Sequence, residues 1–223
     1  MCRWRYFFTP PYSKGAVFIM KNTKERVYSF FVVFILGGVF YLFNVTEEQD
    51  TQEIKTTIET SQTQENNNIN NNIEHDIVND IRKTNEEMDL VSASYLAHHI
   101  VSSAKENNVD PLLLTSVIKA ESRYRQETVS DMGAVGLGQL TDDCITHLEA
   151  TYGKRIDVYD SFSNVDGTAL YLSYLQDYFD GDIQKVIGGY NAGPNVSIEK
   201  YPLETKEYLK KVNSYYESFQ NNS

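Results

Sequence analysis

Two cysteines in 223 residues, Cys2 and Cys144, leave no material for a disulfide framework. The four histidines, His75, His98, His99 and His147, lack the spacing and the Cys or carboxylate company of a zinc site. Neither a metal nor any other cofactor is therefore expected. His98 and His99 are adjacent, so on a helix they point about 100° apart and read as surface or partial-core residues. Basic charge is scarce as well. The net charge is −11, and residues 91–223 carry eleven basic side chains against eighteen acidic ones. Nucleic-acid binding needs basic patches that neutralise phosphate, and this balance excludes it. No convincing run of alternating strand residues occurs, so the fold class is mainly α.

What is present divides the chain into four parts. Residues 1–26 carry six basic side chains against one acidic and read as a cytoplasmic tail. Residues 27–45 contain no formal charge and are rich in Phe, Val, Ile and Leu; as a helix they reach about 28 Å, close to one hydrocarbon thickness. A core helix rarely stays apolar on every face for that length, so this stretch is predicted to span a membrane, with Tyr28 and Tyr41 near its ends. Arg3, Arg5, Lys14, Lys21, Lys24 and Arg26 precede the span and place the N-terminus in the cytoplasm and the rest of the chain outside. Cys2 and Cys144 then fall on opposite sides. Phe43, Asn44, Val45 and Thr46 offer no small-x-small cleavage site, which favours an uncleaved anchor in the cell membrane. Met20, followed by Lys21 and Lys24, is an alternative start, in which case residues 1–19 are not native.

Residues 46–88 read as an acidic, Asn-rich disordered linker, with twelve acidic side chains against three basic ones over residues 46–90. At its end, Ile73, Ile77, Val78 and Ile81 hint at a short helix. Residues 89–223 are then predicted as a helical domain, large enough to bury a core without staples. Leu90, Ala93, Ala97, Val101 and Ala104 form one stripe that Asn107-Asn108 ends. Asp110 and Pro111 open a second helix, whose Leu113, Val117 and Ala120 face inward. Thr141 caps a third helix, which runs through Tyr152 and stops at Gly153. Asn164 begins a fourth, with Ala169, Leu172, Leu175 and Phe179 spaced for burial and Gly181 at its end. Asp182 caps a fifth that leads into Gly189-Tyr190-Asn191, and Pro202 precedes a sixth carrying Leu209, Val212 and Tyr216.

The second helix delivers Glu121 beside apolar neighbours. A carboxyl group partly removed from water favours its neutral form, which a general acid needs at neutral pH. Gly133, Gly136 and Gly138 follow, and glycines let a backbone turn tightly and approach another group closely. On their own, an acidic residue near a helix end is commonly a solvated face, and such glycines are commonly an ordinary loop.

Three blocks taken together are more specific: Glu121-Ser122, then Gly133-Ala134-Val135-Gly136-Leu137-Gly138-Gln139-Leu140, then Gly189-Tyr190-Asn191-Ala192-Gly193-Pro194. In order and spacing they resemble the family-one, soluble-type (SLT) lytic transglycosylases, whose catalytic domain has a goose-type-lysozyme-like fold. Glu204-Thr205 and Tyr208 stand where that family carries its last signature, and the resemblance covers about residues 90–219. It implies cleavage of the β-1,4 bond between MurNAc and GlcNAc in peptidoglycan without water, leaving a 1,6-anhydroMurNAc end. Glu121 would act first as general acid and then as base, with the substrate's 2-acetamido group replacing the second carboxylate of most glycosidases.

By the same resemblance Ser122 bonds near the catalytic carboxyl group or the substrate, or else is simply a polar helix end. Gln139 bonds sugar or its own loop. Tyr190 lies near the acid and Asn191 helps hold substrate, against a plain reading as core tyrosine and turn asparagine. Tyr208 lines the cleft or the core, and Asn164, Tyr171 and Leu172 match a structural pattern. The family most often has methionine where this chain has Gly138 and alanine where it has Gly189.

Two competing accounts remain at this point. A lysozyme-type hydrolase would use Asp131, Asp142 or Asp143 to place a water, and an idle wall-binding scaffold would need no acid at all. The expected partners are peptidoglycan glycan strands and the membrane, with a cell-envelope, secretion or conjugation apparatus as a further candidate.

Overall fold

The computed structural model describes residues 70–221. The predicted tail at 1–26, the predicted membrane span at 27–45 and most of the predicted linker lie outside the described residues. Among the described residues no helix is long and apolar enough to cross a membrane.

The described part is mainly helical, and its order follows from caps and apolar spacing. Helix α1 occupies residues 70–84, α2 is Leu90–Glu106, α3 Pro111–Ser122, α4 Asp142–Tyr152, α5 Ser161–Tyr178, α6 Ile183–Ala192 and α7 Leu203–Gln220. Four of these helices start on an aspartate whose carboxylate accepts backbone N–H groups: Asp89, Asp110, Asp160 and Asp182. Thr141 does the same for α4. Each satisfies donors that the first helical turn leaves open. Gly153, at φ +67°, stops α4, because a left-handed residue breaks the ladder at no steric cost to glycine. The only β-pairings among the described residues are two isolated bridges, Val129 with Val135 and Val135 with Leu140.

One predicted boundary is corrected. The region assigned to a linker ends in α1, where Ile77 and Ile81 are fully buried and Ile73 and Val78 pack against the same core. Four-residue spacing puts Ile73, Ile77 and Ile81 on one helical face. The folded region thus begins well before residue 89. A second correction concerns α5, which starts at Ser161 on the Asp160 cap, three residues before Asn164. The other predicted starts stand, but α5 stops at Tyr178 with Phe179 as its cap, short of Gly181; Leu90 is exposed, and Leu96 and Ile100 fill the stripe of α2 instead.

α3 is the central helix. Leu113, Leu114, Val117 and Ile118 are fully buried, so it is apolar around much of its circumference and packs against α2, α5 and α7. A helix surrounded in this way is a rigid support for whatever its last turn presents.

Candidate active site

Glu121 lies in that last turn, half-buried. α3 ends because Arg123 and Tyr124 both take left-handed backbone conformations, φ +55° and +62°. Such conformations are unfavourable for residues that carry a Cβ, so the surrounding packing must hold them. The Tyr124 ring does so by complete burial, and burial beside Asp80 pushes its hydroxyl well above the usual tyrosine range.

The glycine segment that follows is braced from three directions. Within it, the N–H groups of Val135 and Leu140 each donate to the other's carbonyl, at 3.0 and 3.1 Å, and Gly136 N–H donates to Thr128 O at 2.9 Å. Gly133 and Gly136 sit at φ +75° and +80°, where glycine is the natural choice. From α5, the buried Asn164 accepts from Gly138 N–H at 2.8 Å and donates to Val135 O and Val158 O, both at 3.0 Å. From α6, the Tyr190 hydroxyl donates to Gly138 O at 2.7 Å. Gly138 is held so close to α5 that an added Cβ would lie 1.8 Å from Thr168 Oγ1.

The circuit closes through α6 and α7. Thr205 at the start of α7 donates to Asn191 Oδ1 at 2.7 Å, and Lys211 Nζ donates to Ala120 O at 2.6 Å. The lysine brings positive charge to the C-terminal end of α3, where the helix dipole favours it. The chain itself leads from the end of α3 into the glycine segment, and side-chain bonds then join that segment to α6, α6 to α7 and α7 back to Ala120 beside Glu121.

The predicted site residues fall into this frame in different roles. Ser122 is buried, and its hydroxyl donates to Ile118 O within its own helix. Gln139 is buried, stands at φ +50° and donates its amide to Thr128 O and Gly136 O, so it ties the loop together. Tyr190 and Tyr208 are buried, and Asn191 accepts from Thr205. Asp131, Asp142 and Asp143 are all exposed; the last two occupy the first turn of α4, where negative charge suits the helix N-terminus. No group of three or more His, Cys, Asp or Glu able to hold a metal occurs among the described residues. Sequence reasoning missed Thr168, Thr205, Lys211 and Asp80. Only Thr205 left a trace, as part of the Glu204-Thr205 pair.

Comparison with known proteins decides the family. The model of the transglycosylase SLT domain matches residues 99–213, just over half of the chain. The chain belongs to the transglycosylase SLT domain family. Its SLT domain is similar to a protein named transglycosylase from Enterobacteria phage PRD1, with 31% identity over 113 residues; these are 51% of this chain and 40% of the phage protein. Among solved structures it resembles the lytic transglycosylase Slt of Pseudomonas aeruginosa, determined as an inactive mutant. There the TM-score is 0.51 and the identity 22%, over 56% of this chain and 24% of that one. The 70 kDa soluble lytic transglycosylase of Escherichia coli gives a TM-score of 0.49 and 19% identity, over 59% and 26%. The chain thus spans well under half the length of each of these relatives, and the Pseudomonas likeness concerns the fold.

Proposed function

We propose that this chain is a peptidoglycan lytic transglycosylase that cleaves the MurNAc–GlcNAc β-1,4 bond without water, with Glu121 as its acid and base. The observation that carries the reading is the family match over residues 99–213, within which a half-buried Glu121 lies in the last turn of a buried helix that Lys211 of α7 ties down at Ala120. In the first step the protonated Glu121 carboxyl group gives its proton to the glycosidic oxygen. The bond from that oxygen to MurNAc C1 breaks, and GlcNAc leaves with a new 4-hydroxyl. The substrate's acetamido oxygen stabilises C1 meanwhile. In the second step the Glu121 carboxylate takes the proton of the MurNAc 6-hydroxyl as O6 bonds to C1. The 1,6-anhydro ring closes, Glu121 is protonated again and no water is consumed. One carboxyl group suffices because the two proton transfers are sequential and opposite.

The reading extends to location. The charge-free stretch at 27–45, preceded by six basic side chains, supports an anchor in the cell membrane that holds the SLT domain outside it, beside the wall. Local opening of peptidoglycan during growth, during remodelling or for passage of an envelope apparatus fits such a placement.

The test is mass analysis of the muropeptides released from purified wall by the full chain and by Glu121→Gln. The wild type should give products one water lighter than hydrolytic muropeptides, and the variant should be slower by about 10²-fold or more. Products of hydrolytic mass would replace this reading with a muramidase. Equal release by both proteins would end the enzyme assignment.

A further inference from the structure

α1 lies outside the 99–213 stretch that matches the family, yet it is bonded to the segment that carries Glu121. Three bonds from α1 and its end converge there. Asp80 accepts from Lys119 Nζ at 2.6 Å and, through its other oxygen, from the Tyr124 hydroxyl at 2.7 Å. Asn85, just past the end of α1, donates to Tyr124 O at 3.1 Å. Lys119 is two residues before Glu121 and Tyr124 three residues after it, so one carboxylate spans the turn from both sides. The Asp80 and Lys119 side chains are only 17% and 15% exposed, so water does little to screen the pair. Lys119 also lies over the Tyr215 ring of α7 at 4.5 Å, which fixes its far end.

We propose that Asp80 is a positioning residue for Glu121: by holding Lys119 and Tyr124 it locks the left-handed Arg123-Tyr124 turn and thereby sets the direction in which Glu121 leaves α3. Residues two apart on a helix point about 200° apart, so Asp80 grips the side of α3 roughly opposite Glu121 and acts through the backbone rather than by touching substrate. Two consecutive left-handed residues that both carry a Cβ do not hold that shape unaided, and the bonds to Tyr124 add to the restraint that its buried ring supplies. A relaxation of the turn by about 1 Å is enough to cost up to 10²-fold in rate when a reacting group is misplaced.

This inference rests on the transglycosylase reading for its kinetic test and has a second readout that does not. With the full chain on purified wall, Asp80→Ala should lower kcat by about 10- to 100-fold while KM stays within about twofold. Tyr124→Phe, which removes one hydroxyl and keeps the buried ring, should lower kcat by about three- to tenfold. Asp80→Glu should recover part of the loss. Amide hydrogen exchange gives the independent measurement. Arg123 N–H donates to Lys119 O at 3.1 Å and Arg125 N–H to Ser122 O at 3.2 Å, and both should lose protection in Asp80→Ala and in Tyr124→Phe. Unchanged kcat for the folded fraction of both variants, or unchanged exchange at both amides, would overturn the proposal. If Asp80→Ala proves too unstable to purify, Tyr124→Phe decides alone. An inactive wild type whose variants still lose exchange protection would sink the enzymatic reading and leave the restraint in place.

Discussion

Gly138 is a tightly constrained position in the glycine segment. Methionine is common there in the resembled family, but here Thr168 fills the space a Cβ would need, and the Gly138 peptide is bonded on both sides, to Asn164 and to Tyr190. Gly138→Ala should therefore destabilise the fold by about 1–3 kcal/mol through overpacking. Adding Thr168→Ala should return at least part of that loss in urea titrations; strictly additive effects would show that the two sites do not compete for one space. Asn164 has the larger effect. Its removal leaves Gly138 N–H without its buried acceptor and takes one of two donors from the Val135 carbonyl, which keeps Leu140 N–H, and Asn164→Ala should cost about 3 kcal/mol by the same titration. A loss below about 1 kcal/mol would mean that water replaces the amide. At this scale the sequence was legible where a pattern is local, as with the apolar run that leaves Glu121 half-buried in the last turn of α3 and with Gly133 and Gly136, where φ is positive. It was silent on Thr168, Lys211 and Asp80, because each acts on a partner far away in the chain that no local pattern marks.

The elements were more legible than the residues that join them, because helix caps are local. Asp110-Pro111, Thr141 and Asp182 could be read directly from sequence. Asp160 could not be told from Asn164, four residues on, because both residue types cap helices. The helix of α1 showed in Ile73, Ile77, Val78 and Ile81, but its place in the core did not, since Asn, Glu and Asp around them give the stretch the composition of a linker. The caps also predict a pH response. Asp89 is held below its ordinary value of 3.8 by the Ser92 hydroxyl and amide, and Asp182 below the same value by Lys185. A carboxyl group whose pKa is depressed on folding contributes stability that is fully present above the unfolded value and is lost as pH falls through the lower folded value. The Tm difference between the wild type and Asp89→Ala or Asp182→Ala should thus be constant above about pH 5 and shrink below about pH 4. A difference that stays constant down to about pH 3 would show that the charged form of the cap is not what stabilises the helix start.

At the scale of the whole molecule, the decisive question is where the folded unit begins. The sequence boundary at residue 89 and the family match from residue 99 both leave α1 out, whereas Ile77 and Ile81 are as fully buried as the residues of α3. Full burial of an isoleucine side chain contributes about 1.5–3 kcal/mol, so these two alone supply about 3–6 kcal/mol. Deleting them uncovers their partners and also strips Lys119 of Asp80, leaving a largely buried ammonium group without its carboxylate. Domains of this size are stable by only about 5–15 kcal/mol in total. A chain that starts at residue 89 should therefore be unfolded, or melt at least about 10 °C below one that starts at residue 70, when the two are compared by thermal denaturation. Loss of activity in the shorter chain would follow from that instability and would say nothing of positioning, which is why the single substitutions at Asp80 and Tyr124 are needed beside it. Equal melting temperatures would mean that α1 is an ornament on a domain complete without it, and the stability assigned here to Ile77, Ile81 and Asp80 would have to come from elsewhere.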